Sequence, residues 1–256
     1  MDRRSFVLAA GGAALSALDL PVVCGAADPV PLTLLLFGGD LPEVRKNLEK
    51  EYLTKVLRSG VKQPLKGEKP AEADNITGLE QFALADVWNG SAAKRTFPNA
   101  EQLDHFKRFL EAGKPFVGYR AASHVFQNWL VVDQEVFGAK YGGHHLLGKE
   151  KELKIEPGNG ARDHPILKGV EPPPPLSGSY GYTDLAPDVT VLLYSGLTGN
   201  MMPHTWVREN TKTKGRVFYT RYDAKELTAN ESCRKIFIRG LVWALGGDLG
   251  KHRKTG

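Results

Sequence analysis

Apolar and polar positions fall along this chain in blocks that predict strands and helices in turn. Leu32 to Phe37, LTLLLF, is a continuous apolar run that ends at Gly38-Gly39-Asp40. That is the pattern of a strand buried on both faces and followed by a turn. Pro42 to Ser59 has helical composition and stops at Gly60, so the stretch is expected as one helix. Val61 to Ile76 is polar and punctuated by proline and glycine, which predicts a surface excursion. Phe82 to Asn89, FALADVWN, is the next strand candidate. Between Pro98 and Ala112, Leu103, Phe106, Phe109 and Leu110 share one helical face, and Gly113 ends the helix. Lys114 to Tyr119 then reads as a short strand. Strand, helix and strand at this spacing predict a parallel sheet with crossover helices.

The second half is patterned more loosely. Leu153 to Glu156 reads as a strand, and Glu171 to Leu176, with its run of prolines, as an extended linker or edge segment. Val189 to Tyr194, VTVLLY, and Arg216 to Thr220, RVFYT, are further strands. Asn230 to Leu245 predicts a closing amphipathic helix with Ile236, Phe237, Leu241, Val242 and Leu245 on its apolar side. There is no internal repeat. The chain reads as one α/β domain with an elaborated second half.

Composition narrows this picture. With 256 residues, 41% of them hydrophobic, the chain can bury one substantial core. The formal charge of +5 is interspersed, and its densest cluster is Lys251-His252-Arg253-Lys254, expected to be a solvated, frayed end. No basic stretch is interleaved with aromatics and no zinc-finger spacing occurs, which argues against nucleic acid as a partner. The first 27 residues read as a cleaved export signal: a basic start, an apolar stretch from Phe6 to Leu18 too short to span a bilayer, and small residues around Gly25 to Ala27. Arg3-Arg4 resembles a twin-arginine signal, with Asp2 and Leu8 as departures from its pattern. Periplasmic or extracellular location is then expected, with no stable membrane insertion once the signal is cleaved after Ala26 or Ala27. Residues 28–250 then form the domain, and 251–256 the basic tail. Cys24 leaves with the signal and Cys233 remains alone, so no intramolecular disulfide is expected. Cys233 is expected as a small apolar residue on the last helix.

Four polar constellations carry candidate chemistry. VGYRAASHVFQNW, Val117 to Trp129, turns from strand residues to small ones and places Arg120, Ser123 and His124 at the junction. If a helix starts near Ala121, its free N–H groups favour an anion or a developing oxyanion. Arg120 would add planar donors for hydroxyls or an oxyanion, and His124 a general acid or base. The plainer reading has Ser123 as a cap and His124 on a backbone carbonyl. Tyr141-Gly142-Gly143-His144-His145 comes second: the glycines let a ligand approach closely, and adjacent histidines point apart, so one of them faces a pocket. A divalent metal would need a third ligand, for which His164 is the candidate, although the spacing matches no standard motif. Asp163-His164-Pro165 is third and reads equally as a capped turn. The fourth is Arg221-Tyr222-Asp223 at the carboxyl end of RVFYT, where open α/β sheets bind ligands.

No Gly-x-Cys-x-Gly or Gly-x-Ser-x-Gly elbow, P-loop or complete dinucleotide fingerprint is present. Arg120 stands near the place of an elbow nucleophile, and an arginine cannot be the nucleophile of acyl transfer. The chain is not expected to be a glutamine amidotransferase.

In order, ADVWNGS, GKPFVGYRAASHVF, FGAKYGGHH, DHPILKGV, PDVTVLLYSG, GRVFYT and LVWALGG resemble the trehalose-utilisation (ThuA-like) family, over about Leu32 to Gly247. The resemblance implies a flavodoxin-like, three-layer fold of the class I glutamine-amidotransferase type with a mostly parallel sheet. It implies carbohydrate metabolism, with trehalose-like disaccharides or their 3-keto derivatives as substrates. The positions it points to are His124, His144 or His145, and His164. Many members carry Gly-His after the RVFYT position, where this chain has Arg221-Tyr222-Asp223, so that histidine's role is lost or passes to Asp223.

The leading expectation is an exported protein acting on a sugar or keto-sugar. His124 serves as acid or base, Arg120 orients hydroxyls or an oxyanion, and His144 or His145 completes the pocket. The alternatives are a non-catalytic sugar-binding module and a metal-assisted hydrolase using His144, His145 and His164.

Overall fold

The computed structural model describes residues 31–37, 41–58, 83–87, 100–124, 129–145, 152–176 and 178–254. The expected signal, the surface excursion and the ends of the FALADVWN run lie outside them.

The first strand, β1 (Leu32–Phe37), forms where the apolar run predicts it. Helix α1 (Pro42–Glu51) begins with proline at its first turn, where the missing N–H costs nothing. It does not continue to Ser59. The chain becomes extended at Tyr52, and β2 (Thr54–Arg58) pairs in parallel with β1, Leu32 opposite Thr54. The open edge of β1 offered backbone partners, and that tertiary demand overrode a helical composition.

After β3 (Ala83–Val87), helix α2 (Ala100–Glu111) and β4 (Phe116–Arg120) come in the predicted strand–helix–strand order. Next come a short ribbon strand β5 (Lys140–His145), β6 (Lys154–Pro157) and a second ribbon strand β7 (Ser179–Thr183). Two long strands, β8 (Val189–Leu197) and β9 (Asn200–Glu209), lead to β10 (Arg216–Thr220), α3 (Ala224–Ala229) and α4 (Glu231–Ala244).

The main sheet runs β2-β1-β3-β4-β10-β9-β8-β6. From β2 to β10 every pairing is parallel, and from β10 to β6 every pairing is antiparallel. The expectation of a mostly parallel sheet therefore holds for one half only. Hairpins rather than crossover helices build the other half, because β8 and β9 are joined by a tight turn at Thr198-Gly199. β5 and β7 form a separate antiparallel ribbon.

Both faces of the sheet are covered. On β4 and β10, Val117, Tyr119 and Phe218 pack into a core shared with α1, α3 and α4. Their neighbours Phe116, Val217 and Tyr219 face the other way, against Phe106 of α2, Phe137 and the tyrosines of the ribbon. This period-two alternation makes a mixed α/β fold with two cores on one sheet. Gly118 and Gly240 permit the closest approaches: an added Cβ would lie 2.5 Å from the Phe137 ring at the first and 2.5 Å from the Phe218 ring at the second. Cys233 is buried in the first core, as expected.

The basic tail is not frayed through Lys254. Tyr52 bridges to Arg253, Leu53 N donates to His252 O at 2.8 Å, and Lys254 N donates to Glu51 O at 2.9 Å. Backbone pairing with the end of α1 outweighs the charge of the segment.

Candidate functional site

The carboxyl ends of β4 and β10 lie side by side, Thr220 opposite Tyr119, and the β5–β7 ribbon packs over them. β4 ends abruptly at Arg120, whose φ of +49° lies in the left-handed region that side-chain-bearing residues disfavour. This is the backbone of a strained elbow, with an arginine where a nucleophile would stand. The chain continues from it as a 3-10 turn, Ala121–His124. A helical turn thus begins at Ala121, of the tighter 3-10 kind.

Arg120 and Asp223 meet across the two strand ends, Nη1 to Oδ2 at 3.1 Å. Asp223 also caps α3: its Oδ1 accepts from Glu226 N at 2.8 Å, while Glu226 Oε2 accepts from Asp223 N at 2.7 Å. Arg221 is 4% exposed and donates from Nη1 to both Glu226 oxygens, at 3.0 and 3.3 Å. Both guanidiniums approach the ring of Tyr180 on β7, Arg120 at 5.7 Å and Arg221 at 6.0 Å. Arg221 thus supports the site from beneath rather than lining an open pocket.

His124 stacks on Tyr141, with centroids 4.0 Å apart and planes at 11°, and meets Tyr180 edge-on at 5.7 Å. Burial, then the nearby charges of His144 and Arg120, lower its pKa to about 4. At neutral pH it is an uncharged imidazole, able to act as base or hydrogen-bonding group but not as a resident acid. Its neighbour Ser123 is fully buried, and Ser123 Oγ lies 3.2 Å from His124 Nδ1 and 2.9 Å from the Tyr182 hydroxyl. The Tyr182 hydroxyl bonds that of Tyr219, which donates to the Arg120 carbonyl. Ser123 is therefore neither a helix cap nor a pocket hydroxyl; it sits behind His124.

The double glycine breaks the ribbon's regular pairing. The ribbon register shifts between Tyr141 and His144, and Gly143 has φ of +97°. The bulge places Tyr141 against His124 and leaves His144 exposed, 5.3 Å from the Tyr180 ring. His145 comes next on the opposite side of the ribbon, half-buried, with Nε2 unbonded. His144 is the site histidine of the pair.

Two expected members do not belong. Tyr222 is fully buried, its ring 4.4 Å from His204, and it is core rather than pocket because the chain turns inward after β10. His164 packs 6.0 Å from Trp243, which also covers Arg216 at the amino end of β10. The site lies at the carboxyl end of that strand. His144, His145 and His164 therefore do not converge on one ion, and no group of metal-ligating side chains occurs among the described residues.

Sequence reasoning missed the tyrosine wall. Tyr180 and Tyr182 in SYGYT are spaced by two, which puts them on one face of a strand. It also missed His204, fully buried with Nδ1 2.8 Å from Thr205 Oγ1. A separate cavity of about 320 Å³ lies towards the amino ends of β4 and β10, lined by Lys107, Lys114, Trp129, Glu135 and Gly215 among others. It contains none of the strained or titration-shifted groups of the carboxyl end.

A ThuA-like protein from Parabacteroides merdae superposes with a TM-score of 0.54 at 16% identity, covering 85% of this chain and 91% of that one. One from Bacteroides uniformis gives 0.54 at 15% identity, covering 90% and 98%. A cytoplasmic protein from Salmonella typhimurium gives 0.54 at 13%, covering 87% and 100%. At such identities the likeness is one of fold. No curated protein matches the chain. In sequence, the family described as ThuA, trehalose utilisation, matches residues 52–244, which takes in β4, the ribbon, β10 and all the site residues named above. The chain belongs to the ThuA trehalose-utilisation family.

Proposed function

We propose that this protein processes a carbohydrate bearing a carbonyl group, such as a 3-keto disaccharide, with His124 as the proton-transferring residue. The family places the chain in carbohydrate metabolism related to trehalose utilisation. One observation carries the finer reading: an imidazole kept uncharged, wedged between Tyr141 and Tyr180, with the Arg120 guanidinium beside it. Aromatic faces suit the apolar faces of sugars, and a guanidinium suits a developing oxyanion.

The carbonyl dictates the chemistry. His124 takes the proton from the carbon next to it, and the C–H electrons pass into an enolate whose oxygen Arg120 stabilises. The enolate re-forms the ketone, makes a carbon–carbon double bond and expels the glycosidic oxygen from the next carbon. That oxygen leaves as an alcohol with the proton returned by His124. A low pKa makes His124 a weak base alone, but the imidazolium gains from the enolate charge beside it, and it gives the proton back readily. No cysteine and no pair of carboxylates is required. The N-terminal 27 residues would carry the protein to the periplasm or beyond, with residues 28–250 as the working domain. A carbohydrate is the expected ligand.

Incubating the protein with disaccharides and their 3-keto derivatives tests the reading. Release of free sugar from the keto compounds, abolished in His124→Ala, is expected; unchanged turnover in that variant removes His124 from the role. A second reading, a non-catalytic sugar-binding module, draws on the Arg120–Asp223 ion pair, which already engages one arm of the guanidinium. Calorimetric heat of binding with no product from any of these sugars would favour it. Finding the native protein only in the cytoplasmic fraction would refute export.

A further inference from the structure

We infer that Ser123, Tyr182 and Tyr219 are positioning residues that fix the tautomer of His124, placing its proton on Nδ1 and its lone pair on Nε2. The inference rests on the reading of His124 as the proton-transferring residue, and gives that reading its working atom.

The protons can be counted along a chain of hydroxyls. Each hydroxyl has a single hydrogen to donate. At the far end stands the backbone carbonyl of Arg120, which can only accept. The Tyr219 hydroxyl donates to it. With that hydrogen spent, the Tyr219 oxygen accepts from the Tyr182 hydroxyl. Tyr182, its own hydrogen spent, accepts from Ser123 Oγ at 2.9 Å. Ser123 then has no hydrogen left for the imidazole, so the 3.2 Å contact with His124 Nδ1 exists only if Nδ1 carries the proton. A carbonyl at one end thus sets the polarity of every link to the ring at the other.

Burial makes the chain rigid. Ser123, Tyr182 and Tyr219 are each no more than 2% exposed, so no water competes for their hydrogens from bulk solvent. Both phenols are pushed above their ordinary pKa by that burial and keep their hydrogens. The ring itself is clamped by Tyr141, and it titrates low enough to hold one proton at neutral pH. The left-handed backbone of Arg120 is part of the device, because the peptide on its carboxyl side carries the accepting carbonyl. The chain is also a dead end. A carbonyl cannot pass a proton on, so a proton gained at Nε2 does not leave through Ser123.

The test reads the tautomer directly in the substrate-free, full-length protein. Long-range hydrogen–nitrogen NMR of histidine-labelled protein at pH 7, with the His124 signals assigned by their loss in His124→Asn, distinguishes the protonated nitrogen from the bare one. The expected result is a pyridine-like Nε2 and a protonated Nδ1, the tautomer a free histidine disfavours. In Tyr219→Phe and in Ser123→Ala the pattern should shift towards a mixture with protonated Nε2, and kcat should fall with little change in KM. A native His124 protonated on Nε2 overturns the proposal without recourse to any variant. So does a tautomer unchanged in both Ser123→Ala and Tyr219→Phe; the small serine change keeps this arm open if the tyrosine variant fails to fold. The result is independent of the sugar: the expected tautomer together with full activity in His124→Ala would leave this inference standing and sink the proposed catalytic role.

Discussion

Arg120 and Asp223 are joined by a 3.1 Å ion pair that ties the strained end of β4 to the cap of α3. Asp223 divides its labour, one oxygen to the helix and the other to the arginine. The two roles separate by mutation. Asp223→Asn keeps a good capping side chain and loses the charge, and its cost should be below about 1 kcal/mol. Asp223→Ala loses both and should cost about 1 kcal/mol more. Urea unfolding of the two variants decides this; equal losses would show that the cap contributes nothing.

The positive φ of Arg120 gives a second prediction, with an unusual sign. Glycine ordinarily destabilises relative to alanine, by up to about 1 kcal/mol. At a left-handed position the order reverses, because alanine bears a steric cost of about 1–2 kcal/mol that glycine does not. Both Arg120→Gly and Arg120→Ala lose the ion pair, so their comparison isolates the backbone. Arg120→Gly should be the more stable by about 1 kcal/mol. A more stable alanine variant would mean that the elbow relaxes.

The His124 midpoint should respond to the loss of His144. Removing His144 removes a charge that lowers the His124 pKa, so His144→Ala should raise the His124 midpoint from about 4. It should remain below the ordinary histidine value of about 6.5, because burial is the larger cause. His164→Ala should leave it unmoved, since His164 sits against Trp243 at the other end of β10. A histidine-resolved NMR titration checks all of this at once, and a response to His164→Ala would contradict the placement.

These contrasts show which parts of the molecule its sequence makes legible. β1, β10, α2 and α4 declare themselves because each is written in the sequence as a continuous apolar run or a helical stripe. β2 is hidden, because a helix-like composition there yields to a partner strand that pairing alone supplies. β9 is hidden for another reason: Pro203, His204 and Thr205 interrupt its pattern, yet they are buried and the two polar ones bond each other. The elbow is legible as a change from apolar to small residues, so Arg120 and His124 are found. Tyr180 belongs to the same site only through a ribbon folded back from sixty residues downstream of Arg120, and no local pattern announces that. His164 errs the other way: its Asp-His-Pro turn looks like the other histidine motifs but is carried to the far end of the sheet.

Gly240 sets helix propensity against packing. Alanine in mid-helix should gain about 1 kcal/mol. Its Cβ, however, would lie 2.5 Å from the fully buried ring of Phe218. Forcing α4 away from β10 costs about 1–3 kcal/mol or more. Packing should win, and Gly240→Ala should be destabilised by about 2 kcal/mol in denaturant unfolding. Trimming the ring in Gly240→Ala/Phe218→Leu should recover part of the loss; no recovery would locate the clash elsewhere.

Stability should fall on the acid side of neutrality, and buried histidines give the sign. His124, His164 and His204 all have their pKa lowered, in each case chiefly by burial; for His204 the adjacent Arg221 adds to it. Above about pH 6.5 these imidazoles are neutral in both states and add no pH dependence. Below it the unfolded chain binds protons that the folded chain refuses, so unfolding free energy declines as pH falls. For His124, with a folded value of about 4, the full loss would be at most about 3 to 4 kcal/mol at 1.36 kcal/mol per unit, an upper bound because the ring is partly solvent-exposed. Glu226 opposes the trend: burial raises its pKa, so it favours the folded state at low pH and loses that contribution as pH rises through its folded value. Asp133, raised by the same cause, acts in the same sense as Glu226. Among the described residues, Thr205, Tyr222 and Arg221 face His204. His204→Asn keeps a hydrogen-bonding atom near Thr205 and removes the titration. Its unfolding free energy should therefore decline less steeply than that of the native protein between pH 6.5 and 5, and equal slopes would show that His204 contributes nothing to the acid response.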